Sequence, residues 1–227
     1  MVGQTHRSTS PGFEPIWQIK WVSAAESSIL GTFEQILTVS EDGRIMKYNL
    51  TSGPFLLGYR QLRLDRVESV VEGLAIPKKK DFIESDRHPQ ALCLTIHPLK
   101  SDVYFVGTDE GCLHRCSTNY PHQHTGIIQV HNGGVFGMIY SPFSPKIFIT
   151  CGNDWCIRIW VEEICEPVIV LSSGIGVVHC AYWSPINSTI IIGITKYHVE
   201  IWDIRRSTLR PVSSHSYSLR TSLTVFQ

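Results

Sequence analysis

Residues 131–160 have the sequence HNGGVFGMIYSPFSPKIFITCGNDWCIRIW, and this stretch decides the fold. It contains three short apolar segments, at residues 135–140, 147–151 and 156–160, and the last alternates in polarity as a half-buried strand does. Residues 152–154, Gly-Asn-Asp, lie between the second and third segments and are typical of a tight turn. Three strands joined by tight turns within about thirty residues indicate an antiparallel meander rather than a βαβ unit.

The same meander recurs along the chain. Its turn position is occupied by Asp42, Glu110, Asp154 and Lys196, and the position six residues later by Tyr48, Cys116, Trp160 and Trp202. The steps from 110 to 154 and from 154 to 196 are 44 and 42 residues long, within the about 40–45 residues of a WD repeat, and the first step is longer. Four aligned meanders predict four blades of a β-propeller. Only the fourth blade contains a literal Trp-Asp pair, Trp202-Asp203.

The repeats predict an all-β fold, a partial WD-repeat β-propeller of about four blades that is open rather than closed. The predicted boundaries are a flexible lead-in at residues 1–15, a propeller segment at 16–206 and an irregular tail at 207–227. Within the propeller segment the blades cover about residues 16–64, 91–130, 131–171 and 176–203, with an insertion at 65–90. The alternative is a closed ring of four blades, in which residues 218–226 would form the closing strand.

Composition excludes several classes of protein. The chain has 227 residues, 43% of them hydrophobic, and a formal net charge of zero, so no overall charge attracts it to nucleic acid or to an anionic membrane. No segment reaches the roughly 18 apolar residues of a membrane span, and the N-terminus has no apolar signal sequence. The odd number of seven cysteines then predicts reduced thiols in a cytosolic or ciliary compartment. We therefore expect no nucleic-acid partner and no membrane partner.

One cluster has the residue types of a zinc site: Cys112, His114 and Cys116, with His122 and His124 nearby. On a strand, however, residues four apart are separated by about 13 Å, whereas two thiolates on one zinc ion lie within about 5 Å of each other. No metal site is therefore predicted. Cys151 and Cys156 flank one turn, and we expect them to pack as small apolar residues.

The sequence carries no motif of a catalytic site. It has no Gly-x-Ser-x-Gly, no His-Glu-x-x-His and no glycine-rich phosphate loop before a helix. The predicted first strands of the blades, at residues 17–21, 91–96, 135–140 and 177–183, contain no Asp or Glu that could converge on a central channel. We expect no enzyme activity and no cofactor, and an enzyme supported by a propeller is kept as an alternative.

Resemblance to WD repeats gives several polar residues a structural role. In such repeats a loop His, a strand Ser or Thr, the turn Asp and the third-strand Trp form a hydrogen-bond network that braces each blade. By this resemblance His131, Asp154 and Trp160 brace blade three, but Gly152 stands at the Ser/Thr position two residues before the Asp, so the network is expected to be incomplete. The other blades have partial sets. Blade one has Ser40 with Asp42, and blade two has Thr108 with Glu110. Blade four has Trp202, but Ile194 and Lys196 stand at its Ser/Thr and Asp positions, so it cannot form the network.

Three longer segments resemble the dynein intermediate chains. Residues 15–22, PIWQIKWV, are similar to that family's first-blade strand, and residues 106–116, VGTDEGCLHRC, to its VGTEEGxIHKC segment. Residues 141–149, SPFSPKIFI, followed by NDWCIRIW at 153–160, are similar to its NPFHPxxFxSCSADWTVKIW blade. The resemblance covers roughly residues 15–206 and points to the axonemal type. It departs from the family at Gly152, where Ser is usual, and at Val161, where Asp is usual.

This resemblance implies a non-catalytic scaffold subunit of an axonemal dynein complex, found in the cytoplasm and in the axoneme of a cilium or flagellum. Propellers of the family bind the dynein heavy chain, the segment before the propeller binds light chains, and a second intermediate chain is a further expected partner. The implied role is to support inner-arm assembly and cilium movement. The chain lacks the preceding segment and about three of the usual seven blades, so we expect a truncated isoform or a fragment.

A generic WD-repeat adaptor of another multiprotein complex is the alternative function, and co-purification with dynein heavy chain would distinguish the two. Four blades without closure leave two apolar blade faces uncovered, which predicts partner binding or aggregation. Aromatic and arginine side chains are enriched at interface hot spots. The candidate partner contacts are therefore Trp155, Arg158, Tyr197, Arg205 and Arg206.

Overall fold

The computed structural model of the chain describes residues 4–5, 14–23, 34–50, 55–65, 88–121, 124–174 and 176–217. Every helix or strand within these ranges is a β-strand, so no described helix could cross a membrane. The strands are β1 (Gln4–Thr5), β2 (Ile16–Ser23), β3 (Glu34–Ser40), β4 (Arg44–Leu50), β5 (Phe55–Arg63), β6 (Ala91–Ile96), β7 (Val103–Thr108), β8 (Cys112–Ser117), β9 (Gly126–Gln129), β10 (Val135–Ser141), β11 (Ser144–Gly152), β12 (Cys156–Val161), β13 (Ile169–Ser172), β14 (Val178–Trp183), β15 (Ile190–Thr195), β16 (His198–Asp203) and β17 (Ser213–Ser216).

The strands form four sheets in two compact units. Unit one, Met1–Gln129, holds blade one with the strand order β1-β5-β4-β3-β2 and blade two with the order β6-β7-β8-β9. Unit two, Val130–Gln227, holds blade three (β10-β11-β12-β13) and blade four (β14-β15-β16-β17). Sequential strands pair antiparallel in every sheet, and β1 alone among the described strands pairs parallel, with β5. The predicted four antiparallel meanders are confirmed.

Each unit has a core between its two sheets. In unit one, Leu37 and Ile45 of blade one pack with Leu94, Tyr104 and Val106 of blade two. The core of unit two combines the side chains of Ile149, Ile157 and Leu171 from blade three with those of Val178, Ile191 and Trp202 from blade four. Core residues that share a strand lie two positions apart, as Tyr104 and Val106 do in unit one and Ile157 and Ile159 in unit two, so each pair lies on one face of its sheet.

The first strand of blade one differs from its counterparts in having an exposed apolar face. Trp17, Ile19 and Trp21 of β2 are 55%, 56% and 60% exposed. The strand register equates Ile19 with Leu94 of β6 and Met138 of β10, and both of these are buried. This face of blade one is therefore not covered by the described part of the chain, as expected for one end of an incomplete set of blades.

The predicted boundaries need two corrections. The tail at 207–227, predicted to be irregular, contains β17, which pairs with β16 and extends blade four beyond its predicted end at 203. The predicted lead-in at 1–15 contains β1. Both strands lie at sheet edges and are held by backbone hydrogen bonds, so their polar sequences carry no alternation of apolar residues for a prediction to find. The proposed closing strand at 218–226 lies outside the described residues, as does most of the insertion at 65–90.

Candidate functional site

In blade three, a series of hydrogen bonds joins four side chains, His131, Thr150, Asp154 and Trp160, which we call the blade-three brace. The indole Nε1 of Trp160 donates to the Thr150 hydroxyl oxygen at 2.9 Å. The Thr150 hydroxyl in turn donates to Nε2 of His131, 2.8 Å away. The other ring nitrogen of His131, Nδ1, donates to Oδ1 of Asp154 at 2.7 Å. All these bonds are made with a neutral imidazole.

The brace is complete, which corrects the expectation that Gly152 would leave it without a hydroxyl. Thr150 supplies the hydroxyl from two residues earlier on β11, and the period of two in a strand places it on the same face as residue 152. Gly152 itself makes room for the imidazole, because a Cβ at this position would lie 2.8 Å from Cγ of His131. In this blade the ring of the loop histidine therefore takes the space that a side chain would occupy at position 152.

Asp154 carries the negative charge of the brace. Its Oδ2 accepts from Nη1 of Arg158 at 2.6 Å and from the backbone N–H of Asn132 at 3.1 Å. Burial raises the pKa of this carboxyl, but the hydrogen bonds from His131, Arg158 and Asn132 outweigh burial and hold the pKa well below its usual range. Burial also lowers the pKa of His131, against the opposing effect of Asp154. These polar groups are bonded to one another, so the cluster links the loop before β10 to strands β11 and β12.

Blade one uses its predicted pair in a different way. The Ser40 hydroxyl donates to Oδ1 of Asp42 at 2.6 Å, and the same carboxylate forms an ion pair with Nε of Arg44 at 2.8 Å. These bonds stabilise the turn between β3 and β4. Tyr48, at the position of Trp160, packs its ring against Gly58, where a Cβ would lie 2.4 Å from the ring.

In blade two the predicted pair forms contacts with the backbone. The Thr108 hydroxyl donates to the carbonyl oxygen of Cys112 at 3.2 Å across the turn. Glu110 contributes its backbone carbonyl, which accepts from Nε2 of Gln129 at 3.3 Å. The turn is thus closed by contacts with the backbone, and buried Cys116 occupies the position of Trp160.

The turn of blade four is one residue shorter than predicted. Thr195 pairs with the first residue of β14, as Gly152 pairs with the first residue of β10, so these two positions are equivalent. The sequence alignment had placed Ile194 there and Lys196 at the turn Asp position. The Thr195 hydroxyl donates to the carbonyl oxygen of His198 at 3.2 Å and closes the shorter turn.

Blade four also has a brace of its own, which sequence reasoning missed. Glu200 is fully buried, and its Oε1 accepts from the Ser173 hydroxyl at 2.8 Å. Its Oε2 accepts from Nε1 of Trp202 at 3.3 Å. The available signal was the spacing Glu-x-Trp in β16, since this spacing places a carboxylate on the same strand face as a core tryptophan.

The cysteine and histidine cluster of blade two is buried. No group of three or more potential metal ligands occurs among the described residues, from which His122 is left out. Burial raises the pKa values of Cys112 and Cys116 to about 12 and lowers that of His114 to about 4. The rings of His114 and His124 meet edge to face at 5.3 Å. All seven cysteines of the chain are free thiols.

The structure separates the candidate partner contacts into two groups within unit two. Trp155 and Tyr197 are exposed in the turns between the second and third strands, at what we call the turn end of the unit. Arg205 and Arg206 are exposed at the opposite end, after β16. Arg158 is only 15% exposed and is bound to Asp154 in the brace, so it does not belong to either exposed group.

Trp155 has an unusual backbone conformation. Its φ is 66°, in the left-handed region, and the equivalent turn residues of blades one and two are Gly43 at 74° and Gly111 at 85°. Glycine adopts this conformation without steric cost, whereas a bulky residue is strained in it. Blade three therefore holds a large aromatic side chain in solvent at a position where the fold favours glycine.

Comparison with known proteins identifies related sequences. The family described as "Dynein axonemal intermediate chain 3 WD40 domain" matches residues 87–226, more than half of the chain. The chain is 32% identical over 200 residues to dynein axonemal intermediate chain 4 of Homo sapiens, covering 87% of this chain and 23% of that protein. It is 28% identical over 217 residues to "Dynein intermediate chain 2, ciliary" of Heliocidaris crassispina, covering 93% of this chain and 29% of that protein.

The chain spans about a quarter of the length of these curated relatives. The WD40 match and the four meandering sheets together confirm the predicted fold, a partial WD-repeat β-propeller.

Proposed function

The chain belongs to the dynein intermediate chain family, as its sequence motifs predict, since the family of axonemal intermediate chain 3 WD40 domains matches more than half of it, and we propose that it is a non-catalytic scaffold subunit of an axonemal dynein complex. It acts in the axoneme of a cilium or flagellum, where its blades bind the dynein heavy chain and support inner-arm assembly and cilium movement. Light chains and a second intermediate chain are its further partners. The proposal includes no nucleic acid, membrane or cofactor.

The observation that carries this proposal is the exposed, strained Trp155. A left-handed conformation at a non-glycine residue costs on the order of 1–2 kcal/mol, and such strain occurs preferentially at functional sites. Tryptophan is also the residue type most enriched at interface hot spots. A half-exposed tryptophan at a glycine position is therefore best explained by a partner protein that binds the turn end of unit two.

The neighbouring aromatic turn supports the same site. Tyr197 lies in the corresponding turn of blade four, next to blade three in the same unit, and the Lys196 ammonium lies 5.3 Å from the centre of its ring. Together, Trp155, Lys196 and Tyr197 present two aromatic rings and one cation, a combination suited to an apolar segment that also carries a carboxylate.

Binding rather than catalysis is also favoured by how the polar side chains are used. His131 and Asp154 could in principle serve as a catalytic dyad, but both side chains are hydrogen-bonded within the blade-three brace. The buried carboxylate of Glu200 is likewise bound on both oxygens. In these sites the ionisable groups bond to neighbouring side chains of the blades, which supports a structural role.

The test is co-purification of the tagged full chain from ciliated-cell lysate, with mass spectrometry of the eluate and gel filtration of the purified chain. The wild-type chain is expected to recover dynein heavy chain. The double variant Trp155→Ala with Tyr197→Ala is expected to recover about tenfold less heavy chain, or still less. Tyr120→Ala is the matched control, because it removes an exposed aromatic ring from unit one.

Two results would contradict the proposal. Soluble wild-type chain that recovers no dynein subunit would favour the generic WD-repeat adaptor. Equal recovery of heavy chain by wild type and by the folded double variant would exclude the turn end as the contact.

A further inference from the structure

Three blades share a rigid turn that presents an apolar side chain to solvent. The turn follows the first strand and begins with His97, Ser141 or Ser184, each followed by Pro. The next residue is large, apolar and exposed: Leu99 (73%) in unit one, and Phe143 (47%) and Ile186 (88%) in unit two. Turn positions normally favour Gly, Asn, Asp or Ser, so three exposed apolar residues at one repeat position need an explanation other than turn formation.

These turns are held in place by their own hydrogen bonds. Nδ1 of His97 accepts from the backbone N–H of Leu99 at 3.0 Å. The Ser184 hydroxyl accepts from the backbone N–H groups of Ile186 and Asn187 at 3.3 and 3.1 Å. Fixed turns hold their apolar side chains in one place, so a partner that contacts them has less loop entropy to overcome.

In unit two a second pair of exposed apolar residues lies at the same end of the sheets. Ile164 is 49% exposed and Leu209 is 90% exposed, and both are in the loops after the third strands. Backbone hydrogen bonds join these loops to the segments that follow the Pro turns, from Glu162 N–H to Lys146 O at 2.7 Å and from Ile204 N–H to Thr189 O at 3.0 Å. We call Phe143, Ile164, Ile186 and Leu209 the loop end of unit two, opposite to the turn end.

The loop end has charges of opposite sign on its two blades. The blade-four loop carries exposed Arg205, Arg206 and Arg210, and the carboxylate of Asp203 lies 3.5 Å from Arg206 Nε. The blade-three loop carries exposed Glu163 and Glu166, and exposed Lys146 lies beside it on β11, so carboxylates outnumber cations on this side. Glu163 has a φ of 76°, a second left-handed conformation outside glycine, and it precedes the exposed Ile164.

We propose that the loop end of unit two is a docking surface for an amphipathic α-helix of a partner protein. The partner helix carries an apolar stripe with acidic residues at one end, over the blade-four arginines, and basic residues at the other, over Glu163 and Glu166. The surface offers side chains on loops rather than a strand edge, so it suits a helix, which satisfies its own backbone hydrogen bonds. The proposal goes beyond dynein membership, because it rests on the chemistry of this surface alone.

Charge complementarity also distinguishes this partner from a lipid surface. A basic amphipathic surface binds anionic lipids through positive charge, but the carboxylates of Glu163 and Glu166 would be repelled by them. A helix with charges of both signs satisfies both loops and binds in only one direction. Two protein-binding ends on one compact unit would suit a scaffold subunit.

The experiment selects binders of the full chain from a displayed library of helical peptides of about 18 residues, or five turns. Binders are counter-selected on the double variant Ile186→Ser with Leu209→Ser, and affinities are measured by fluorescence anisotropy. The expected consensus has apolar residues every three or four positions, Asp or Glu at one end and Lys or Arg at the other. The double variant is expected to weaken binding about tenfold or more.

Three further variants locate the site. Reversing the blade-four charges with Arg205→Glu, Arg206→Glu and Arg210→Glu should weaken the same peptide about tenfold and favour a peptide with reversed charges. Leu99→Ser is the matched control, because it removes the same kind of exposed turn residue from unit one, and it should leave the affinity unchanged. Trp155→Ala should also leave it unchanged, so that failure of this proposal is distinguishable from failure of heavy-chain binding at the turn end.

The proposal is overturned by any of four results. The selected peptides lack the paired charges, or the double variant binds them as wild type does. Alternatively, no peptide is selected, phosphatidylserine vesicles bind the chain, and this binding is lost in the double variant Ile186→Ser with Leu209→Ser. That result would make the surface a membrane contact. Finally, the same variants convert a dimer of the chain into a monomer, which would make the loop end a contact between copies.

Discussion

At the residue scale, the strain at Trp155 can be measured directly. Trp155→Gly should raise the free energy of unfolding relative to Trp155→Ala by about 1 kcal/mol, because glycine accepts the left-handed φ of 66° and alanine does not. Urea unfolding of the two variants gives this difference, and both variants lack the ring, so its packing cancels. An alanine variant as stable as the glycine variant would show that the conformation is not strained.

A second residue-scale prediction concerns His114, whose ring is fully buried and whose nitrogens have no hydrogen-bond partner among the described residues. Burial lowers its pKa to about 4, below the value of about 6.5 in the unfolded chain. Between these values the unfolded state binds the proton and the folded state does not, so stability falls as the pH falls from 6.5 to 4. The loss amounts to about 3 kcal/mol.

The measurement is urea unfolding across this pH range in wild type and in His114→Leu. The variant should show a shallower decrease in the free energy of unfolding towards pH 4. Part of the decrease should remain, because burial also lowers the pKa of His131. His215→Leu, at an exposed strand position, is the control. A slope that is the same in wild type and His114→Leu would show that His114 does not contribute to acid sensitivity.

At the scale of the element, Thr150 is the central residue of the blade-three brace. Thr150→Val keeps the shape of the side chain but leaves the Trp160 indole and Nε2 of His131 without their shared partner. Each buried group that loses its hydrogen bond costs about 1–3 kcal/mol, so we expect a destabilisation of at least about 2 kcal/mol. Thermal and urea unfolding measure this loss, and hydrogen exchange should show weaker protection in β10–β12.

Two substitutions control for effects other than the hydroxyl. Thr150→Ser keeps the hydroxyl and should retain most of the stability. Thr125→Val removes an exposed hydroxyl that donates to the carbonyl oxygen of Arg115 and should change stability by less than about 0.5 kcal/mol. If serine at position 150 were as damaging as valine, packing of the methyl group would be the cause instead of the brace.

The brace also shows how far sequence reasoning reaches within one element. The roles of His131, Asp154 and Trp160 follow from the repeat pattern, because each stands at a fixed distance from a turn. The contribution of Thr150 does not, since a hydroxyl two residues further from the turn reaches the ring only because Gly152 has no side chain. Glu200 was missed for a different reason: it stands at the position of Arg158 in blade three, to which the repeat pattern assigns no part in a brace.

The same limit applies to whole strands. Strands with one buried face, such as β12, are predicted because burial imposes alternation on the sequence. Strand β17, Ser-Ser-His-Ser, is held by its ladder with β16 and exposes most of its side chains, so nothing in its composition indicates a strand. Edge strands of this kind become visible only once the neighbouring strand has been placed.

At the scale of the whole molecule, blades are stabilised by stacking, and an uncovered blade face is an unsatisfied apolar surface. The repeat pattern predicts such a surface, but it does not say which side chains form it. The structure assigns Trp17, Ile19 and Trp21 to it, because the buried residues at the position of Ile19 in the other blades show what a covered face looks like. An exposed apolar strand face promotes association with other proteins or with further copies of the chain.

The last prediction tests this face. Replacing Trp17, Ile19 and Trp21 with Thr keeps a strand-forming residue at each position and removes most of the apolar surface. The purified variant should bind less of a hydrophobic dye than wild type and should scatter less light on concentration. Its free energy of unfolding should fall by no more than about 1 kcal/mol, because these side chains are more than half exposed.

Leu99→Thr removes a single exposed apolar residue elsewhere in the same unit and controls for a general gain in solubility. Dye binding that is unchanged in the triple variant would mean that the face is already covered in solution, and a large loss of stability would identify the cover as part of the chain itself.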